Sequence, residues 1–524
     1  MNFRRLSLQQ LVLLCLLSSV SFGQKNICID STHEPEEVSL AINRNNPACI
    51  VAGANITNYY YSINAGSTWK HRTMKSIYGV WGDPCVLSDT AGDFYFVHLS
   101  TPKDGTWLDR MVCQKSTDSG KTWNDGSYAG LNGERNQDKP WGAVDFTNSK
   151  YRNRIYLSWT QFDKYESRKP NDSSRILFAY SDDAGKSWQN PIRLDEHGGD
   201  CLDGDNTVEG AVPCVGPEGQ VYDAWGGPEG IMFVRSSDGG KTFSENVKVA
   251  NLIGGWDYDI SGIDRCNGMP ITCCDVSQGK HRGTIYISWS DQRKGKDNTC
   301  IWLARSSDQG NTWSKPIKIN DDKGYRQHFM TWLDVDPVTG YVYSLFYDRR
   351  EHGGDTTDVY LAVSKDGGNS FINFRINEKS FVPTASDFFG DYINVKAYNN
   401  IVRPIWMQLN DHELRIFTAL INPGDLDWAL YTPGGPQAEN NASEEAINNS
   451  SIWFKTELDN TEIVSLSVID TKGHTVYTVF TNRTWKDGDH EYLLDVRKNK
   501  IPPGVYAYKF DEGLKSTYQP FLVY

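Results

Sequence analysis

The sequence predicts an all-β repeat protein, and three observations point there. A short phrase, S-x-D-x-G-x-T-W, stands at 116–123 (STDSGKTW) and returns at 181–188, 236–243, 306–313 and 364–371. A worn copy at 62–69 (SINAGSTW) has Asn64 in place of the aspartate. Runs rich in aromatic and β-branched residues precede the copies, such as 175–180 (RILFAY) and 359–363 (VYLAV), and read as strands. The 46 glycines and the 12% aromatic content over 524 residues suit many short strands and turns. Self-similarity at fifty to seventy residues is the signature of a repeat architecture.

Each unit reads as three strands, the phrase, then a fourth strand. Unit 1 has strands at 37–42, 49–54 and 58–61; unit 2 begins at 82–86 and continues at 93–98. Units 3 to 6 begin near Asp138, Val208, Pro270 and His328, with second strands at 154–159, 220–225, 284–289 and 341–346. A seventh unit, without the phrase, has three strands at 390–395, 402–407 and 414–420. Three strands alone would leave an open sheet edge. The alternating segment 26–30 (NICID) is the candidate for the missing outer strand, which makes seven units favoured over six.

The phrase itself has a mechanical reading. Its aspartate accepts backbone N–H groups inside a tight turn, its glycine permits a positive φ, and its closing Trp or Phe packs against the next unit. The five aspartates (Asp118, Asp183, Asp238, Asp308, Asp366) are therefore structural.

The ends differ in kind. Residues 1–23 read as a secretory signal, with Arg4 and Arg5 before an apolar run and a small-x-small cleavage site ahead of Gln24. The run is too short to span a membrane. Residues 24–431 hold the repeats, 432–451 are a polar Pro/Gly/Asn-rich linker, and 452–524 form a small all-β sandwich. The formal net charge of −13 argues against nucleic acid or an anionic membrane surface as partners, while leaving room for a local basic pocket. Apart from Cys15 in the signal, an even number of cysteines remains in an exported chain. The near pairs are Cys201 with Cys214, and Cys266 with Cys273 or Cys274. No cysteine or histidine spacing is that of a zinc site.

The phrase is the Asp-box, and the chain resembles the sialidase-like, Asp-box (BNR-repeat) β-propeller proteins. That resemblance implies an all-β propeller, here of seven blades where sialidases have six, followed by the β-sandwich. The tail is similar to the C-terminal sorting domain of type IX secretion, through I-D-x-x-G at 469–473 and P-x-G-V-Y at 502–506. It lacks an Asn-Pro entry motif and a basic last strand. The resemblance implies a secreted or cell-surface protein that meets the bacterial export machinery through this tail.

In a propeller, first-strand starts and second-strand ends converge on one central funnel. First-strand starts supply Asp83, Asp138, Lys139, Glu209, His328, Asp391 and Tyr392. Second-strand exits supply WSDQR at 289–293 and FYDRR at 346–350, hence Asp291, Arg293, Asp348, Arg349 and Arg350. Two arginine forks on neighbouring blades suit a substrate carboxylate; the plainer alternative is an Asp–Arg brace in each loop. A retaining sialidase uses a tyrosine nucleophile, a partner glutamate, an Asp acid/base and three arginines. By strand order the resemblance implies Tyr392 as nucleophile and Glu209 as its partner, with Asp83 as a substitute acid/base. The chain departs from the family in three places. Glu36 and Glu37 stand where an Arg-Ile-Pro motif belongs, Asn55 and Asn58 occupy the acid/base loop, and Trp225-Gly226 replaces an arginine.

The expected function is an exported sialidase-like glycoside hydrolase acting on glycans in the funnel. Its alternatives are a glycosidase that uses two carboxylates and a non-catalytic propeller that binds glycan or protein. No cofactor is expected, except that the acidic loop 200–205 (DCLDGD) offers hard oxygen ligands for Ca2+, with Asp257, Asp259 and Asp264 as a weaker set.

Overall fold

The computed structural model describes residues 25–410 and 412–426. In the C-terminal part it describes 451–458, 460–470, 474–486, 488–495, 499, 501–502, 504–512 and 515–523. The signal segment 1–23 and nearly all of the linker 432–451 lie outside the described residues. The chain divides into two compact units, Met1–Leu426 and Asp427–Tyr524.

The first unit is a seven-bladed β-propeller. Six blades are consecutive four-stranded antiparallel meanders. Their inner strands are Ser39–Ile42, Cys85–Ser88, Asn136–Val144, Glu209–Val215, Ile271–Cys274 and His328–Val335. The seventh blade runs from its inner strand Asn394–Tyr398 through Ile401–Asn410 to Glu413–Ala419, and takes its outermost strand, Asn26–Asp30, from the N-terminal side. Asn26 lies opposite Ala419, Ile27 opposite Thr418 and Cys28 opposite Phe417. The open edge foreseen on the seventh unit is thus covered, and the inner strands pack side by side as a closed ring.

The repeated phrase turns the third strand of a blade into the fourth. In blade 4 the Asp238 carboxylate accepts from the backbone N–H groups of Lys241 (3.0 Å) and Thr242 (2.9 Å) and from the hydroxyls of Thr242 (2.7 Å) and Ser236 (2.8 Å). Burial is the largest single influence and works to raise the Asp238 carboxyl, but these bonds together outweigh it and hold the group down at about 2. Asn64 in the worn copy keeps the frame: its Oδ1 accepts from the Thr68 N–H and its Nδ2 donates to the Thr68 hydroxyl. The turn also joins blades, toward the preceding unit and not the next. Phe243 of blade 4 packs on Phe178 of blade 3 at 4.8 Å, and Trp313 of blade 5 on Phe233 of blade 4 at 5.0 Å. At Gly310, with φ +81°, a Cβ would sit 2.3 Å from the Phe233 ring, so this glycine is required both by conformation and by contact with the preceding blade.

The cysteine pairs suggested by sequence proximity are not bridged. Cys201, Cys214, Cys266, Cys273 and Cys274 are free thiols, and Cys214 has Cys274 and Cys273 of the neighbouring blade beside it. Proximity along the chain does not translate into proximity when the intervening strands cross a blade.

The second unit is a sandwich. A four-stranded sheet, in the order Thr475–Trp485, Glu462–Asp470, Gly504–Glu512 and Lys515–Val523, faces the pair Ser451–Leu458 and Gly488–Asp495. Phe454, Leu458 and Leu494 of the pair share one core with Val464, Leu466, Val468, Tyr508 and Phe510 of the sheet.

Asp238→Ala removes four hydrogen bonds to a charged acceptor. It is expected to lower propeller stability by about 1–2 kcal/mol, read as the unfolding midpoint in denaturant. Gly310→Ala is expected to cost more, about 2–3 kcal/mol, since it adds strain at positive φ to overlap with Phe233.

Candidate functional site

Inner strands enter the hub through a recurring kink. The residue two places before the pairing segment is left-handed in five blades: Glu37 (φ 50°), Asp83 (48°), Lys139 (47°), Gly210 (72°) and Met330 (49°). In blades 3, 4 and 6 the same point is a register shift in the sheet, between Asp138 and Trp141, Glu209 and Val212, and Phe329 and Trp332. A bulge of this kind bends the strand and re-aims its side chains. The conformation costs about 1 kcal/mol or more for each non-glycine residue. Three of the residues that bear it are charged and buried.

The kinks, with the loops that carry Asp203, Arg265 and Asp391, bring seven carboxyls and two cations together. Lys139 Nζ donates to Asp391 Oδ2 at 2.6 Å, with both side chains buried. Arg265, from the loop ahead of blade 5, grips the same carboxylate with Nε (2.9 Å to Oδ1) and a second guanidinium nitrogen, and its third nitrogen donates to Asp203 Oδ2 at 2.7 Å. The Tyr165 hydroxyl also donates to Asp203 Oδ2, at 2.7 Å. Asn267 holds the Asp391 carbonyl at 3.0 Å. On the other side, Glu37 accepts from the Asp391 N–H (3.2 Å) and from the Asn55 amide, while Asn55 Oδ1 accepts from the Asp83 N–H at 2.7 Å. The Lys139 N–H is shared between Asp83 (3.2 Å) and Asp138 (2.9 Å).

Charge divides these carboxyls into two sets. Burial works to raise Asp391 and Asp203, but Lys139 and Arg265 outweigh it and hold both below the usual carboxylate range. Burial, reinforced by neighbouring acids, lifts Glu36 to about 8 and Glu37 to about 7. Asp83 and Glu209 are pushed well above their ordinary values by burial and then by Glu37 and Asp203 respectively. Asp138 rises through burial despite Lys139. The Glu209 and Asp203 side chains bond each other, and apart from that contact neither Glu209 oxygen nor Asp203 Oδ1 meets a protein donor. Two carboxylates held low therefore face two cations, and burial shifts the remaining acids toward their protonated form.

An aromatic line leads from solvent to this cluster. Trp81, 41% exposed, meets Trp107, 39% exposed, edge-on at 5.9 Å. Trp107 meets Tyr165 at 5.7 Å, and Tyr165 bonds Asp203. Beneath the carboxyls, Tyr392 packs on Trp141 (5.1 Å) and Trp332 (6.3 Å), with the two indoles 4.2 Å apart. Trp141 and Trp332 also line a cavity together with Ala41, Val86, Val212 and Leu333.

The site residues expected from sequence fall into two groups. Asp83, Glu209 and Tyr392 reach the hub. Tyr392 is buried, and burial followed by the charges of Asp83 and Glu37 pushes its phenol well above the ordinary value, the opposite of what a nucleophile requires. The arginine clamp does not form. Arg293 is taken up by Asp291 (2.9 Å) and the Asn251 carbonyl (3.1 Å), and lies 4.6 Å over Trp302. Arg350 is held by Asp348 (2.7 Å), Asp321 and Asn373, over Tyr360. Arg349 bonds Asp355 (3.1 Å) and Thr357 (3.0 Å). These are loop braces: an exit-loop arginine meets its own blade's aspartate before it can reach the axis. The acidic loop 200–205 also spends its oxygens on protein donors. Asp200 takes Thr207, Asp203 takes Arg265, and Asp205 takes the Asp257 N–H. Asp203 and Arg265 had no signal in strand order, because both come from irregular loops.

No protein-family model matches the chain, and no curated protein matches it. Solved structures do. An α-L-arabinanase of Penicillium chrysogenum is 12% identical with a TM-score of 0.43, over 77% of this chain and 99% of that one. A Trypanosoma rangeli sialidase mutant with trans-sialidase activity is 12% identical with a TM-score of 0.39, over 87% and 85%. A PL25 ulvan lyase is 12% identical with a TM-score of 0.44, over 76% and 96%. Likeness at this level concerns the fold and carries no activity across.

The raised carboxyls make a pH signature. Glu37 and Glu36 bind protons more tightly folded than unfolded, so the stability they contribute is complete below pH about 4.5 and is lost as pH rises through about 7 and about 8. The unfolding midpoint is expected to fall between pH 5 and 8, and Glu37→Gln is expected to flatten that slope, measured by thermal unfolding across the range.

Proposed function

We propose that the acidic hub cluster is a carbohydrate-processing site and that the protein is an exported glycoside hydrolase using carboxyl acid–base chemistry. One observation carries the reading: Lys139 and Arg265 grip Asp391 and Asp203 and hold them below the usual carboxylate range, while Asp83 and Glu209, buried in the same cluster, are pushed above theirs. Cleavage of a glycosidic bond needs a proton for the leaving oxygen and a carboxylate for the other face of the sugar. Asp83 is the proton donor in this reading. Asp203 is the ionised partner, since Lys139 and Arg265 hold it below the usual carboxylate range while Arg265 and Tyr165 bond its Oδ2. Glu209 is bonded to Asp203, and burial together with the Asp203 charge pushes it above its ordinary value. Trp81 and Trp107 offer ring faces for sugar C–H groups.

The reading departs from sialidase chemistry. The two hub cations are already engaged by Asp391 and Asp203, so a sialic acid carboxylate would find no free guanidinium there, and Tyr392 is not activated. Neutral glycans fit better. The secretory signal and the sorting-like tail support export to the cell surface, and no helix among the described residues is long and apolar enough to cross a membrane.

A panel of neutral aryl-glycosides and a fluorogenic sialoside tests this. Turnover of a neutral glycoside is expected, falling about 10²–10⁴-fold in Asp83→Asn or Asp203→Asn and staying within a few fold in Tyr392→Phe. Trp107→Ala is expected to raise KM more than it lowers kcat. Glycan binding without turnover of any substrate would replace the hydrolase with a binding propeller.

A further inference from the structure

A second cluster of chemistry-bearing side chains lies away from the hub, where the ring closes. Asp30 ends the outermost strand of blade 7, His33 follows it in the connecting loop, and His71 lies in Lys70–Thr73, the outermost strand of blade 1. One donor atom from each lies within 4.8 Å of the other two. His33 Nδ1 is 3.0 Å and 2.8 Å from the two Asp30 oxygens, and the two imidazoles stack at 3.8 Å. We propose that Asp30, His33 and His71 form a binding site for a borderline divalent transition metal, Zn2+ in the first instance.

The surroundings fit that role better than they fit a plain ion pair. His71 Nε2 is 2.9 Å from Asn58 Oδ1. The orientation of that amide is set, because Asn58 Nδ2 donates to the Asn55 carbonyl at 2.7 Å. The Asn58 oxygen therefore accepts, His71 carries its proton on Nε2, and Nδ1 keeps a lone pair for a metal. A ligating histidine usually donates its other ring N–H to an oxygen in this way. The Asp30 carboxylate is oriented too: Tyr60 donates to Oδ2 at 2.6 Å, and the Thr32 N–H and hydroxyl donate to Oδ1 at 2.9 and 3.1 Å. Tyr60 lies opposite His71 across the strand pair, so one pair of residues places both the carboxylate and the imidazole. Two imidazoles and one carboxylate are a ligand set suited to Zn2+. His33 is 44% exposed, which leaves the outer side of the site to water.

Position gives the metal a consequence. His71 belongs to blade 1 and Asp30 to the strand that completes blade 7, so an ion bound by both pins the strand on which closure depends.

The test uses the tag-free full chain. Titration with Co2+ is expected to give one equivalent of a visible d–d band, displaced by Zn2+, and calorimetry with Zn2+ the same stoichiometry. His33→Ala and His71→Ala are each expected to weaken Zn2+ at least about 10-fold, and Asn58→Ala about 10–100-fold by releasing the His71 ring. Saturating Zn2+ is expected to raise the unfolding midpoint of the parent protein, and His33→Ala is expected to lose that Zn2+-dependent rise, each midpoint being compared with its own metal-free value. Absence of Zn2+ binding in the micromolar range, or an affinity unchanged in His33→Ala, overturns the proposal.

Discussion

The propeller depends on a chain that must meet itself. Its last sheet has three strands of its own and is completed by Asn26–Asp30, paired antiparallel with Glu413–Ala419. Without that pairing an edge would stand open and the ring would have a free end. With it, inner strands from seven sheets are forced around one axis. The repeated turns carry the same constraint outward: those of blades 4 and 5 each seat a glycine and an aromatic ring on the preceding blade, so the angle between these blades is set by contact and not by linker length.

Closure explains the electrostatics of the hub. Acids that would be solvated at the ends of separate sheets are pressed into one space of low dielectric, where most cannot remain ionised. Lys139 and Arg265 neutralise Asp391 and Asp203, and burial pushes the other carboxyls toward their protonated form. The left-handed kinks at Glu37, Asp83 and Lys139 persist because the ring on both sides over-determines them. Strain, burial and shared protons therefore coincide at the place where seven strands enter.

The closure point has chemistry of its own. Asp30, His33 and His71 meet only because the first residues of the propeller are stitched to its last blade, and Asn58 and Tyr60 orient them from the neighbouring strand. Hub and closure are thus two readings of one constraint, one along the axis and one at the rim.

The amino-acid sequence by itself determined what is local. The phrase from Ser116 to Trp123 and its copies encode turns whose hydrogen bonds are made within a few residues, and alternating apolar runs encode strands. From these the unit count and the need for a seventh outer strand follow. Strand order also placed Asp83, Glu209 and Tyr392 at the hub, since position within a unit is a local property. Only the tertiary structure decided what those side chains do there. Arg293 and Arg350 have the right chemistry for a clamp, yet each is captured by an aspartate two residues away, while Arg265, in a loop without periodicity, supplies the central guanidinium. The ionisation of a carboxyl and the partner of an arginine depend on groups hundreds of residues distant, such as Lys139 on Asp391, and no local pattern encodes a distance across the axis of a ring.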